Sequence, residues 1–245
     1  MIDALAKAAG GLFDAPVMSL ILTWLAFEVG RSVQRGCGGS PLANPVLIAV
    51  VLIISVLEAS GVSYDSYMRG AGFIHFLLGP AAVALAVPIY DNRERIRESL
   101  RGLLAGVAAG ATVACASAVA LAWWLGASGD VVRSIAPKSV TTPIAIGISE
   151  GIGGRPSMTV VFVIMTGIIA AMFCGRVFDW LGVRDWAARG VAAGVAGHGI
   201  ATAQILSINQ NAGAFAGLSI GLTGLFTAVL LPIATHLLPL FVRVG

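Results

Sequence analysis

Charge is confined to short stretches of this chain, and long apolar segments run between them. Only 11% of the 245 residues are Asp, Glu, Lys or Arg, while 58% are hydrophobic. Soluble domains carry roughly 25% charged residues. The charged side chains are too few to cover a soluble globule of this size, and the mean hydropathy of +0.92 agrees. A soluble enzyme, a disordered chain and a secreted disulfide scaffold are excluded. An all-α integral membrane protein is expected, with room for about seven or eight crossings.

Charges and Pro/Gly clusters divide the chain into apolar segments at 16–34, 43–59, 70–90, 102–126, 139–150, 157–178, 190–207 and 213–238. A crossing helix needs about 17 residues or more, so 139–150 is too short. It begins Lys138-Ser139-Val140-Thr141-Thr142-Pro143 and ends at Glu150-Gly151-Ile152-Gly153-Gly154. The excess of Lys and Arg on cytoplasmic loops tests its path. If 139–150 dips in and returns, Arg31, Arg35, Arg93, Arg95, Arg97, Arg101, Arg176, Arg184, Arg189 and Arg243 lie inside. Lys7, Arg69, Arg133, Lys138 and Arg155 then lie outside. This favours seven transmembrane helices plus a re-entrant half-helix, with the N-terminus outside; eight crossings are the alternative. Residues 16–34 read as a retained segment, because no basic region with a cleavage site precedes them.

An offset of 111 residues superimposes markers along the chain. Pro45 falls on Pro156, Gly102, Gly106 and Gly110 fall on Gly213, Gly217 and Gly221, and Pro88 falls on Gly199. Small residues let helices approach closely in membranes, so the glycines also have a plain packing role. The markers predict an inverted-topology repeat with interrupted helices. The organisation is then 1–42 with the first helix, 43–126 as the first repeat, 127–155 as a linker with the re-entrant element, and 156–245 as the second repeat.

Three segments carry polar and helix-breaking residues. The first, 75–90, holds Gly79, Pro80 and Pro88. Proline removes amide donors, and the freed carbonyls must line protein or a wet cavity. In the second, Thr followed by Pro suits the start of a helix, whose amides and dipole would face an anion. Ser139, Thr141, Thr142 and Pro143 form that start, and Lys138 precedes it. The third is Gly197-His198-Gly199-Ile200-Ala201-Thr202-Ala203-Gln204. His198 reads either as a satisfied packing histidine or as a substrate or proton-coupling group, since intramembrane ionisable residues are usually functional. Glu150 could cap the site, bind a proton or sit in water. His75 and His236 read as segment-end residues. Glu28 is placed to pair with Arg31 at i,i+3.

No Ser/His/Asp set, paired intramembrane aspartates, metalloprotease motif or P-loop occurs, so no enzyme and no ATP coupling are expected. Cys37, Cys115 and Cys174 are scattered and imply no disulfide and no metal site. No cofactor and no nucleic-acid partner are expected either. The expected partners are the lipid bilayer, a small anion and a second copy of the chain, a dimer before larger assemblies.

Several runs together resemble the LrgB/CidB family. They are Phe76-Leu77-Leu78-Gly79-Pro80 with 81–90, then Ala136-Pro137-Lys138-Ser139-Val140-Thr141-Thr142-Pro143-Ile144-Ala145-Ile146, Gly153-Gly154, and His198-Gly199-Ile200-Ala201-Thr202-Ala203. The resemblance runs from about residue 40 to about residue 232. It implies a multi-pass protein of the bacterial cytoplasmic (inner) membrane with an LrgA/CidA-type membrane partner. Two functions are attached to that family: antiholin-like or holin-like control of murein hydrolase export and autolysis, and transport of small carboxylates such as pyruvate, glycolate or glycerate. Half-helix N-termini and hydroxyls fit the second better. Ala82 stands where the family often has Thr, Ala201 where Gly is common and Gln204 where Arg is common, which puts substrate choice in question.

Overall fold

The computed structural model describes residues 16–40, 42–77, 80, 83–84 and 86–237. These are helices and their connections, with no strand among the described residues. They form two compact units, the first ending at Ala84.

The first unit contains α1 (Pro16–Gly36), α2 (Pro45–Ser60) and α3 (Tyr64–Phe76). Asn44 starts α2: its side chain accepts from the Val46 and Leu47 amides at 3.0 and 3.1 Å. Pro45 occupies the first turn, where a missing amide costs nothing. Gly30 lies so close to the Pro45 backbone that a Cβ could not fit, which seats α1 on α2. The Thr23 and Tyr67 hydroxyls join α1 to α3 at 2.7 Å. The expected Glu28–Arg31 pair forms at 2.7 Å.

The second unit contains α4 (Ala86–Asp91), α5 (Arg93–Glu98), α6 (Leu100–Trp124), α7 (Gly129–Ile135), α8 (Thr142–Gly151), α9 (Pro156–Trp180), α10 (Trp186–Ile208) and α11 (Gln210–Leu237). By length and composition, α1, α6, α9, α10 and α11 can cross a membrane, and α2 is a shorter apolar helix. Seven crossings are expected from the sequence; five described helices meet the length and hydropathy that crossing needs.

Helices α7 and α8 form a hairpin whose two ends meet. Arg155, just after it, pairs with Asp130 in its first turn at 2.6 Å. The Arg133 guanidinium donates to the Gly153 carbonyl at 2.9 Å, and the Arg155 amide donates to the Ser134 hydroxyl at 2.7 Å. The Ser128 hydroxyl and then the Arg155 charge hold the Asp130 carboxyl below its ordinary range. Inside, the hairpin packs through Val132, Ala136, Val140, Ala145 and Ile148 against Cys115 and Val119 of α6, Val163 of α9 and Leu231 of α11.

Helix α10 is not straight. Gly197 (φ −129°, ψ 19°) and His198 (φ 38°, ψ −130°) leave helical geometry between two helical halves. A Cβ on Gly197 would lie 2.6 Å from the Ala201 Cβ, whereas a continuous helix keeps i and i+4 Cβ atoms about 5–6 Å apart. Farther along, a Cβ on Gly190 would strike the Ala212 carbonyl and one on Gly194 the Ala216 carbonyl. Residues 186–196 therefore run parallel to the start of α11. The 199–208 half, about 15 Å long at 1.5 Å per residue, returns the chain to the end where α10 began. Segment 190–207, expected to cross in one direction, instead turns back on itself.

This reversal fixes the direction of α11. Gly106 and Gly110 of α6 abut Val191 and Val195 of α10, so α6 also runs parallel to 186–196. Hence α6 and α11 point the same way, and Leu103, Val107, Val195 and Phe215 share one apolar cluster. An inverted repeat at an offset of 111 residues would make them antiparallel. The extra turn at His198 supplies one more change of direction than that expectation counts. The glycine triplets differ too: Gly110 packs against Val195, whereas Gly221 meets open space.

The close approach of α10 to α11 generates a stability prediction. Gly190→Val and Gly194→Val force methyl groups onto backbone, and overpacking of this kind costs about 1–3 kcal/mol. Each is expected to lower the melting temperature of the purified protein in detergent by several degrees. Gly102→Val and Gly221→Val, which meet nothing within 4 Å, are expected to leave it nearly unchanged.

Candidate functional site: two hairpin tips

The turn from Ala136 to Thr141 forms the tip of the α7–α8 hairpin. Ala136, Pro137 and Val140 are fully buried, and the Lys138 and Val140 amides donate to the Ile135 and Pro137 carbonyls at 3.1 and 3.3 Å, which fixes the turn. Ser139 is buried, and Lys138 is half-buried with its Nζ donating to the Ser139 hydroxyl at 3.3 Å. Thr141 is the N-cap of α8 in an extended conformation, followed by Thr142 and Pro143 in the first turn. No side chain caps this end, so its leading amides remain available. Thr141 and Thr142 are half-buried and Pro143 is exposed.

The tip of the α10 hairpin is Gly197-His198-Gly199. The imidazole is buried, and its Nε2 lies 3.0 Å from the Val163 carbonyl of α9. Gly167 makes room for it: a Cβ there would stand 2.7 Å from His198 Cε1. Gly199 is exposed with open space around it, and it begins the returning half-helix. Thr202, one turn on, is buried and its hydroxyl has no partner among the described residues. Gln204 is half-buried on the same half-helix.

The two tips share one neighbourhood. Val140 of the first tip packs in one cluster with Cys115 of α6 and Val163 of α9, and the Val163 carbonyl is the partner of the His198 ring. Leu231 of α11 packs in the same cluster as Cys115, which brings in Thr227 one turn earlier. Thr223, one turn before Thr227, is buried with an unpartnered hydroxyl. Its neighbour Gly224 packs against Ile144 in the first turn of α8. Four elements thus converge on a small polar centre inside an apolar unit.

Glu150 is exposed at the far end of α8, about 12 Å along the helix from Thr142 at 1.5 Å per residue. Pro80 is exposed and belongs to the first unit. Gly79 lies outside the described residues, and the side chains of His75, Pro88 and His236 do too. Sequence reasoning missed Cys115, Val163, Gly167, Thr223 and Thr227. The four-residue spacing of Ser219, Thr223 and Thr227 was the one available signal, since it places three hydroxyls on one helix face. An open groove of about 580 Å³ between α6 and the first half of α10 gathers none of the expected site residues.

The chain matches the LrgB-like family over residues 23–237. It is 32% identical over 217 residues to a "Holin-like protein CidB" of Staphylococcus epidermidis, covering 89% of this chain and 94% of that one. It is 31% identical to a protein of the same name from Staphylococcus aureus, over 89% of this chain and 94% of the other. It is 36% identical over 197 residues to the YxaC protein of Bacillus subtilis, covering 80% of this chain and 86% of that one. No solved structure matches it. With five helices apolar and long enough to cross a membrane and bacterial relatives aligned over most of its length, the chain is a multi-pass bacterial membrane protein and belongs to the LrgB-like family.

Proposed function

We propose that this protein is a transporter or facilitator of small carboxylates, in the class of pyruvate, glycolate and glycerate, in the cytoplasmic membrane. The observation that carries the reading is the uncapped helix start at Thr141 and Thr142, preceded by Lys138, joined to the broken helix at His198 through the packing of Val140 with Val163 and the bond of the His198 ring to the Val163 carbonyl. Helix N-termini and hydroxyls are suited to carboxylate oxygens, and broken helices in membranes are tolerated where they line a cavity. The α7–α8 hairpin is then a re-entrant element whose base is tied by Asp130 and Arg155. His198 is the group offered for proton coupling, and no catalytic chemistry is assigned. An LrgA/CidA-type membrane protein and a second copy of this chain are the proposed partners.

A second reading follows from the relatives named "Holin-like protein CidB". In it, the chain assembles into an oligomer that permeabilises the membrane or governs murein hydrolase export and autolysis. The exposed apolar faces of α6, α9 and α11 serve lipid contact in both readings.

Purified protein in liposomes, alone and with an LrgA-type partner, separates the two. Transport requires saturable uptake of labelled pyruvate, glycolate or glycerate. Removing one hydrogen bond to a charged ligand costs about 1.5–3 kcal/mol, so Thr142→Ala is expected to reduce uptake at least about tenfold. His198→Ala is expected to abolish dependence on a pH gradient. Leak of unrelated solutes of similar size, unchanged by these substitutions, favours the holin-like reading. Gly167→Ala gives an indirect test: its methyl displaces the imidazole, so uptake is expected to fall although residue 167 touches no ligand.

A further inference from the structure

We propose that α10 is a second re-entrant hairpin, entering the membrane from the face opposite to α7–α8, and that the two tips enclose a site for a singly charged anion with Lys138 as its counter-charge. The ligand part of this proposal rests on the transport reading above; the hairpin part does not.

The geometry of the hairpins comes first. The pairing of Gly190 with Ala212 and of Gly194 with Ala216 brings the end of α10 back beside its start. The base of that hairpin lies beside the N-terminal half of α6, through Leu103 and Val107. The α7–α8 hairpin packs instead on the C-terminal half of α6, through Cys115, Val119 and Ala122. Two hairpins therefore enter from opposite ends of the same helix, and their tips meet near its middle, where Val140 of one tip packs in a cluster with Cys115 and Val163, and the Val163 carbonyl bonds the His198 ring of the other. Each returning arm is a helix of about ten residues starting at a tip, so both direct their leading amides and positive dipole ends into the space between them.

The ligand's chemistry follows from what that space lacks. Among the described residues no carboxylate pairs with Lys138; the ion pairs all lie elsewhere. The Thr202 and Thr223 hydroxyls are each 1% exposed, and their oxygens have no partner. Helical side chains lean toward the N-terminus of their helix, so Thr202 leans toward the α10 tip. Thr223 adjoins Gly224, which packs against Ile144 in the first turn of α8. One half-buried cation, two helix starts and two orphan hydroxyls suit one carboxylate. A second negative charge would have no counter-charge in an apolar surround, and an unpaired buried ion is strongly disfavoured. Lys138 thus balances one negative charge, and the lack of a second cation beside it disfavours dianions.

The hairpin is tested by labelling single cysteines in intact cells, after Cys37, Cys115 and Cys174 are replaced by Ala. Arg184→Cys and Gln210→Cys are expected to react from the same face and Glu150→Cys from the other. Reaction of Gln210→Cys from the face of Glu150→Cys overturns the second hairpin, whatever the protein transports. The site is tested in liposomes with pyruvate and malonate, three-carbon acids carrying one and two charges at neutral pH. Uptake of pyruvate at least tenfold faster than malonate is expected, with pyruvate uptake itself falling at least tenfold in Lys138→Gln. Equal uptake of both acids, or pyruvate uptake unchanged in Lys138→Gln, overturns the site while leaving carboxylate transport standing. Absence of uptake of either acid by the wild type overturns the transport reading and the ligand with it. Thr202→Val and Thr223→Val are expected to raise KM for pyruvate about tenfold without lowering the melting temperature, because neither oxygen bonds protein. Loss of stability with unchanged KM assigns them to packing and overturns their role as ligand donors.

Discussion

Backbone amides and carbonyls need partners, and hydrocarbon supplies none. The second unit is organised by that constraint. Its long helices satisfy themselves, and two of its non-helical segments, the Ala136–Thr141 turn and the Gly197–His198 corner, lie inside protein. The first is held by fully buried Ala136, Pro137 and Val140. The second is held by the His198 ring on the Val163 carbonyl and by the space that Gly167 leaves for it. Both interruptions are buried in one unit and share α9, where Val163 packs with Val140 of the first and bonds the His198 ring of the second through its carbonyl. The polar centre is a consequence of where irregular backbone can be kept.

Small residues make this burial possible. Gly190 and Gly194 let α10 sit directly on the Ala212 and Ala216 backbone, close enough that van der Waals contact replaces the hydrophobic drive absent in lipid. Gly154 performs the same service at the base of the other hairpin, where a Cβ would strike the Ser149 hydroxyl and the Ser134 amide. There the fastening is polar: Ser134 accepts from the Arg155 amide, and Thr159 donates to the Ser134 carbonyl. One hairpin is closed by backbone contact and the other by hydrogen bonds and an ion pair, so disruption of either base misplaces its tip.

The site was legible in part, and the reason is chemical. Proline after threonine, and histidine between glycines, are rare in an apolar chain and have few structural uses, so Lys138–Pro143 and His198–Thr202 stand out. Cys115, Gly167, Thr223 and Thr227 do not, because such residues fill ordinary helix contacts; only their neighbours distinguish them. Glu150 drew attention as a charge at the end of a short apolar segment. The structure places it at the opposite end of α8 from Thr142, since a helix of that length separates its termini.

The sequence by itself determined that this is a helical membrane protein, that 139–150 is too short to cross, and that the helix at 197–199 is interrupted. Each follows from local rules: apolar length, charge position and backbone preference. Only the tertiary structure decided the angle of that interruption, and with it the direction of α11. A glycine–histidine–glycine run permits a break of any size. The fold-back was selected by the contact of Gly190 and Gly194 with a helix some twenty residues farther along the chain, a long-range packing term that no local pattern encodes.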